Sequence, residues 1–193
     1  MDIRPLTPGR MSDLAALFGQ GGDPKWCWCA YFRLRSVNFS NSTAADNRAV
    51  LEDAVESTGA QDRAPGLIAY RDGEPVGWVS LGPRTDYERL VHSRVLAPVD
   101  ETPVWSIVCF VVGRQTRGEG LASALLEAAI SYARDHGATT LEAYPIDTGG
   151  ERVPSAQVYK GTLSMFERAG FEVVARRQHN RSSPVRPIVR LSL

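Results

Sequence analysis

The spacing of apolar and polar residues changes period several times along the chain, and each change predicts an element. Residues 2–6 form a short extended run closed by Thr7-Pro8-Gly9, which predicts a first strand and a turn. Leu14, Leu17 and Phe18 share one helical face, with Ser12 as the expected cap and the glycine-rich stretch before Pro24 as the breaker. A second helix is predicted from near Thr43 to Glu56, with Thr58-Gly59 as its stop. Residues 67–70 and 76–81 read as strands on either side of Arg71-Asp72-Gly73-Glu74-Pro75. The Asp-Gly pair makes that a hairpin. Residues 83–102 are polar and irregular, with one helical turn expected at 87–91.

Residues 104–112 are almost continuously apolar, the sign of a strand buried on both faces. Leu121, Leu125, Leu126, Ala129 and Ala133 then follow helical spacing, and His136-Gly137 ends that helix. A strand at 139–144, a helix at 154–169 and strands at 171–175 and 188–193 complete the series. The expected class is mixed α/β in a single domain spanning 1–193.

Composition narrows the function classes. The chain has 193 residues, of which 43% are hydrophobic, enough for one ordinary core. Lysines plus arginines number 22 and aspartates plus glutamates 22, so no basic excess marks a nucleic-acid or anionic-membrane partner. No apolar run approaches the ~20 residues of a membrane span. The first residues lack the charged and apolar regions of a secretory signal. Three cysteines do not make a disulfide framework. The expectation is a soluble cytoplasmic protein.

The chemistry points to residues 109–122, Cys-Phe-Val-Val-Gly-Arg-Gln-Thr-Arg-Gly-Glu-Gly-Leu-Ala. A buried strand runs into a glycine-containing loop that opens a long amphipathic helix. The first turn of a helix has unpaired N–H groups and a partial positive charge, so it attracts anions. Gly118 and Gly120 let a pyrophosphate approach those groups, and Arg114 and Arg117 add charge beside them. A nucleotide-triphosphate loop would need Lys-Ser or Lys-Thr after its last glycine, and Glu119-Gly120 follows Gly118 instead. A dinucleotide site remains open on spacing, with Glu142 as the ribose-binding acid, although Ser123 replaces its third glycine.

Gln115-Thr116-Arg117-Gly118-Glu119-Gly120 resembles the Gln/Arg-x-x-Gly-x-Gly/Ala signature of the GNAT superfamily of acyl-CoA-dependent N-acyltransferases. Phe110-Val111-Val112 before it and Met165 to Phe171, ending in Gly-Phe, are similar to the family's cofactor strand and late helix-to-strand junction. The resemblance implies a central mixed, mostly antiparallel sheet of about six to seven strands, splayed at the 104–112 strand, with helices on both faces. It implies acetyl-CoA as acyl donor. The pantetheine would pair with Phe110 and Val112, and a backbone N–H near Val111 would polarise the thioester. The N–H groups from Arg117 to Ala122, Leu121 included, would hold the pyrophosphate, with Gln115 and Thr116 also binding the cofactor. The implied reaction is direct attack by a primary amine in a ternary complex.

Two positions depart from the family pattern. The usual acidic tyrosine before Gly-Phe is Phe166 here, which leaves Tyr159 as the candidate proton donor. The glutamate base that some members carry on the cofactor strand corresponds to Ser106, with Glu142, Asp147 and Glu151 as substitutes and a water chain as the alternative. Trp26, Trp28 and Tyr31, with Tyr87 and Tyr144, are candidates for the acceptor wall, and core packing is the competing reading of the early aromatic cluster. Cys27 and Cys29 lack the further ligands a metal site needs, so no metal is expected. A small-molecule or peptide amine is the expected partner, and a homodimer is an open expectation. A non-catalytic acyl-CoA-binding module and a small dinucleotide-dependent enzyme stand as alternatives.

Overall fold

The protein is described by a computed structural model that covers every residue except Arg152 and residues 154–157. Strand β1 (Asp2–Pro5) pairs antiparallel with β2 (Gly66–Arg71), which turns into β3 (Glu74–Pro83). The two turn residues, Asp72 and Gly73, have φ of 51° and 84°, the left-handed pair that an Asp-Gly hairpin turn requires. β3 pairs antiparallel with β4 (Trp105–Val112), and β4 pairs parallel with β5 (Thr140–Ala143). β7 (Arg186–Ser192) lies between β5 and β6 (Glu172–Arg177), antiparallel to both. The result is one seven-stranded sheet in the order β1-β2-β3-β4-β5-β7-β6.

Period-2 alternation divides the core between the two faces. Ile68 and Trp78 point to one face. There they pack with α1 (Met11–Phe18), with Leu51 and Val55 of α4 (Ala44–Gly59) and with Leu90 of α5 (Glu88–Val91). Leu67 and Val79 point to the other face, under α6 (Leu121–Asp135) and α7 (Leu163–Arg168). The short helices α2 (Pro24–Cys27) and α3 (Ser36–Ser40) precede α4. Among the described residues no helix is long and apolar enough to cross a membrane.

Several boundaries differ from the sequence expectation for local reasons. α1 starts at Met11 directly after a 3-10 turn at Pro8–Arg10, and Ser12 does not cap it. Thr43 does cap α4: it accepts from the Asp46 N–H at 3.2 Å, while its own N–H donates to Asp46 Oδ2 at 2.8 Å. The helix then runs past Glu56 to Gly59. The predicted helix at 154–169 is corrected. Residues 154–157 lie outside the described residues, and α7 begins only at Leu163. Before it, the N–H of Gly161 donates to the Val158 carbonyl at 2.8 Å and Gly161 has φ of 79°, a turn rather than a helical start.

Two features open the sheet at β4. Only Trp105, Ser106 and Ile107 pair with β5, so residues 108–112 continue without a partner strand on that side. On the β3 side the register steps from Ser80–Cys109 to Leu81–Ile107, leaving Val108 as the additional residue of a β-bulge. The strand bends there, and the sheet splays between β4 and β5.

Candidate functional site

The loop after β4 is anchored before it is exposed. The Gly113 N–H donates to the Val76 carbonyl at 2.9 Å, and the Thr116 hydroxyl donates to the Gly113 carbonyl at 3.1 Å. Thr116 is buried, so its side chain braces the loop and does not face a ligand, contrary to expectation. Gly118 and Gly120 have φ of 82° and 79°, and a Cβ at either would meet nothing within 4 Å. Both are therefore exposed turns that only glycine adopts without strain. Ser123 and Ala124 donate back to the Gly120 carbonyl, which winds the first turn of α6. The N–H groups of residues 118–122 have no acceptor among the described residues. Leu121 offers only its backbone, since its side chain is buried against the sheet. Gly77 lets it sit there: a Cβ on Gly77 would lie 3.0 Å from Leu121 Cδ2 and from Leu125 Cδ1.

Charges around this cradle are mixed. Arg114 and Gln115 are exposed, and Glu119 is paired to Arg71 at 2.6 Å, so its carboxylate is neutralised by a neighbouring strand. Arg117 Nε lies 3.4 Å from the Val112 carbonyl at the end of β4. The arrangement fits a polyanion such as a pyrophosphate, as helix N-termini generally do.

Alternation along β4 decides which backbone groups face the splay. The Phe110 N–H points there and is already taken, donating to the Tyr159 carbonyl at 2.6 Å. Phe110 is thus corrected as a free pairing partner. Val111, one residue on, turns its N–H toward β3, in step with the neighbouring Gly113 N–H on Val76. It cannot polarise a carbonyl lying in the splay. Val112 alternates back and faces the opening.

Ser106 is also corrected as a catalytic candidate. It has no solvent exposure, and its hydroxyl lies 2.9 Å from the Tyr144 hydroxyl. Tyr144 donates to Glu142 Oε1 at 2.7 Å and accepts from Arg84 at 2.7 Å. Arg84 also donates to Glu142 Oε1 at 3.0 Å, and Arg190 donates to its Oε2 at 2.8 Å. Burial next to the Glu142 carboxylate pushes the Tyr144 phenol well up. Glu142 is therefore a fully buried carboxylate with two arginines on it. It serves neither as a base nor as a ribose-binding acid. Asp147 is held below its ordinary range by Arg176 at 2.9 Å.

The aromatic candidates separate into two groups. Trp28 is buried edge-on against Phe18 at 5.3 Å, and Tyr87 is fully buried under the Arg33 guanidinium, so both are core residues and neither lines an acceptor site. Trp28 and Cys29 both take positive φ, 44° and 52°, a strained pair held where Cys29 Sγ meets Cys109 Sγ at 3.1 Å and the Trp78 indole N–H at 3.2 Å. The hydrogen bond with the Cys29 thiol, then burial, raise the Cys109 thiol well above its ordinary value. Trp26 is partly exposed against Phe39 and stands outside the cavity. Tyr31 and Tyr144, with Phe32, do line a cavity of about 500 Å³ on the α1–α4 face.

Tyr159 connects the cavity to the splay. Its ring meets Tyr31 edge-on at 6.3 Å while its carbonyl holds Phe110. Burial, then Tyr31 and Cys109, raise its phenol. The next residue, Lys160, is 8% exposed and lines the cavity with Arg35, Arg89 and Arg186. Sequence spacing had no means of grouping these four, which come from distant parts of the chain.

Comparison with known proteins agrees with this geometry. The family model described as the acetyltransferase (GNAT) family matches residues 28–162. No curated protein matches the sequence at a significant level. Among solved structures, a ribosomal-protein-alanine N-acetyltransferase from Brucella melitensis superposes with a TM-score of 0.59 at 21% identity, covering 100% of both chains. A polyamine N-acetyltransferase from Drosophila melanogaster gives 0.60 at 15% identity, covering 100% of this chain and 99% of that one. An acetyltransferase of the GNAT family from Streptococcus pneumoniae gives 0.56 at 15% identity over 100% and 98%. Those likenesses establish the fold, and the family match over residues 28–162 adds the lineage: the chain belongs to the acetyltransferase (GNAT) family.

Proposed function

We propose that the protein is an N-acetyltransferase that moves the acetyl group of acetyl-CoA to a primary amine by direct attack in a ternary complex. The single observation that carries this reading is the exposed cradle of N–H groups at residues 118–122, standing at the end of a strand whose edge is open. Acetyl-CoA supplies an acetyl group already activated as a thioester. Gly118 to Ala122 would hold its pyrophosphate, and Val112 would pair with its pantetheine arm.

The acceptor amine enters through the cavity lined by Tyr31 and Tyr144. A C–N bond forms, the C–S bond breaks, and the amine proton leaves to solvent through the open mouth. Tyr159 keeps its phenolic proton because burial raises it, so it donates a hydrogen bond to the thiolate as that charge develops. Phe166, buried against Phe171, has no proton to give. Cys109 is buried with its thiol held protonated, which disfavours a covalent acyl-enzyme. Three cysteines without the pattern of a disulfide framework fit a reducing compartment, and cytoplasmic residence belongs to the same proposal.

Calorimetric titration tests the donor. Acetyl-CoA is expected to bind in the micromolar range and NADH not at all. Gly120→Val places a side chain at the cradle and should weaken acetyl-CoA at least tenfold, about 1.4 kcal/mol. NADH binding without CoA binding would overturn the reading.

A further inference from the structure

We propose that the amine acylated here also carries an anionic group, a carboxylate or a phosphate-like one, which docks among Lys160, Arg89 and Arg186. The inference rests on the acyltransferase reading and goes beyond it, to the class of acceptor.

The cavity lining contains four cationic side chains, with Arg35 the fourth, and no aspartate or glutamate. The nearby buried carboxylate, Glu142, lies beneath Tyr144 with Arg84 and Arg190 already on it. Lys160 is the decisive group. It is 8% exposed, yet among the described residues it makes neither an ion pair nor a hydrogen bond. Its ammonium lies near three aromatic rings, those of Phe32 and Tyr159 at 5.4 Å each and Tyr31 at 6.0 Å. Holding an ammonium on a largely buried side chain with no anion beside it is costly, and ring faces offset part of that cost. The Arg89 guanidinium lies 3.9 Å from the Tyr31 ring centroid and donates to the Ser36 hydroxyl at 2.6 Å, which holds it in place. Arg186 and Arg89 each disfavour the Lys160 charge further. The walls thus assemble positive charge with no counter-ion from the protein.

A plain amine or a polyamine enters as a cation and is repelled by this array. An amine bearing its own anion satisfies it. The same cations lower the pKa of the acceptor's ammonium, which favours the neutral form that attacks the thioester.

The test is equilibrium binding to the CoA-saturated protein of matched amines that differ in one group. Phenylalanine is compared with phenylalaninamide, phosphoethanolamine with ethanolamine, and putrescine serves as the dication. In at least one pair the anionic member should bind at least tenfold tighter, and which pair shows it distinguishes carboxylate from phosphate. Lys160→Met should cut that gap below threefold while leaving CoA affinity unchanged. The proposal is overturned if the members lacking the anionic group, or the dication, bind as well, if no anionic member binds, or if Lys160→Met weakens CoA, which would assign the cations to the donor. Failure of the acyltransferase reading shows separately, as absence of CoA binding, and the same pairs measured on the CoA-free protein then still read the cavity.

Discussion

Tyr159 illustrates how much one residue carries here. Its carbonyl closes the Phe110 side of the splay, its ring joins the Tyr31 wall, and its hydroxyl makes no hydrogen bond among the described residues. Tyr159→Phe keeps the ring and the backbone contact and removes only the hydroxyl. If that hydroxyl stabilises the leaving thiolate, kcat should fall about a hundredfold with little change in acetyl-CoA affinity. A thiol-release assay reads this directly, and a loss below about threefold would show that the hydroxyl does not stabilise the leaving thiolate. The residue was legible as a candidate because Phe166 vacates the usual position. Its placement was not, since a contact with β4 across nearly fifty residues leaves no periodic trace in the sequence.

At the level of elements, glycines mark where strands and helices come too close for side chains. A Cβ on Gly66 would lie 2.2 Å from the Trp78 ring and 2.3 Å from the Val79 carbonyl, and a carbonyl in a sheet cannot step aside. Gly66→Ala should therefore destabilise the fold by roughly 3 kcal/mol or more. On Gly77 the contacts are 3.0 Å to methyl groups of Leu121 and Leu125, which can shift. Gly77→Ala should cost only ~1 kcal/mol but lift the head of α6 and weaken acetyl-CoA. Urea denaturation paired with calorimetry separates the two outcomes. The elements most readily legible in the sequence were the local ones, such as the Asp-Gly hairpin and the α6 stripe. Within the helix expected at 154–169, the described residues before Leu163 form a turn instead, because Gly161 takes a positive φ and the turn is closed against β4 and Ile146.

Across the whole molecule, the cationic cavity trades stability for recognition. Burial, followed by Arg186 and Arg89, lowers the Lys160 pKa from 10.5 to about 8. Below about pH 8 the lysine is charged in both folded and unfolded chains, and the folded state bears the full penalty of burying it. As pH rises from 8 toward 10.5 the folded state sheds that proton first, and the penalty disappears. Lys160→Met should thus be more stable than the natural protein at neutral pH, by up to ~3 kcal/mol. The gap should close as pH approaches 10.5. Urea denaturation across that window checks both the sign and the closing.

The sequence by itself determined what depends on neighbours along the chain: the two faces of the sheet, the hairpin, the long helix and the glycine loop at its head. Each follows from a repeat of 2 or 3.6 residues or from a backbone angle that only certain residues tolerate. The tertiary structure alone decided where charge and burial accumulate. It buried Trp28 and Tyr87 in the core, locked Glu142 between Arg84 and Arg190, and turned the Val111 N–H away from the splay. It also brought Arg35, Arg89, Lys160 and Arg186 to one cavity. Electrostatic environment is set by distance in space, and these side chains become neighbours only once β5 and β7 close the sheet beyond β4.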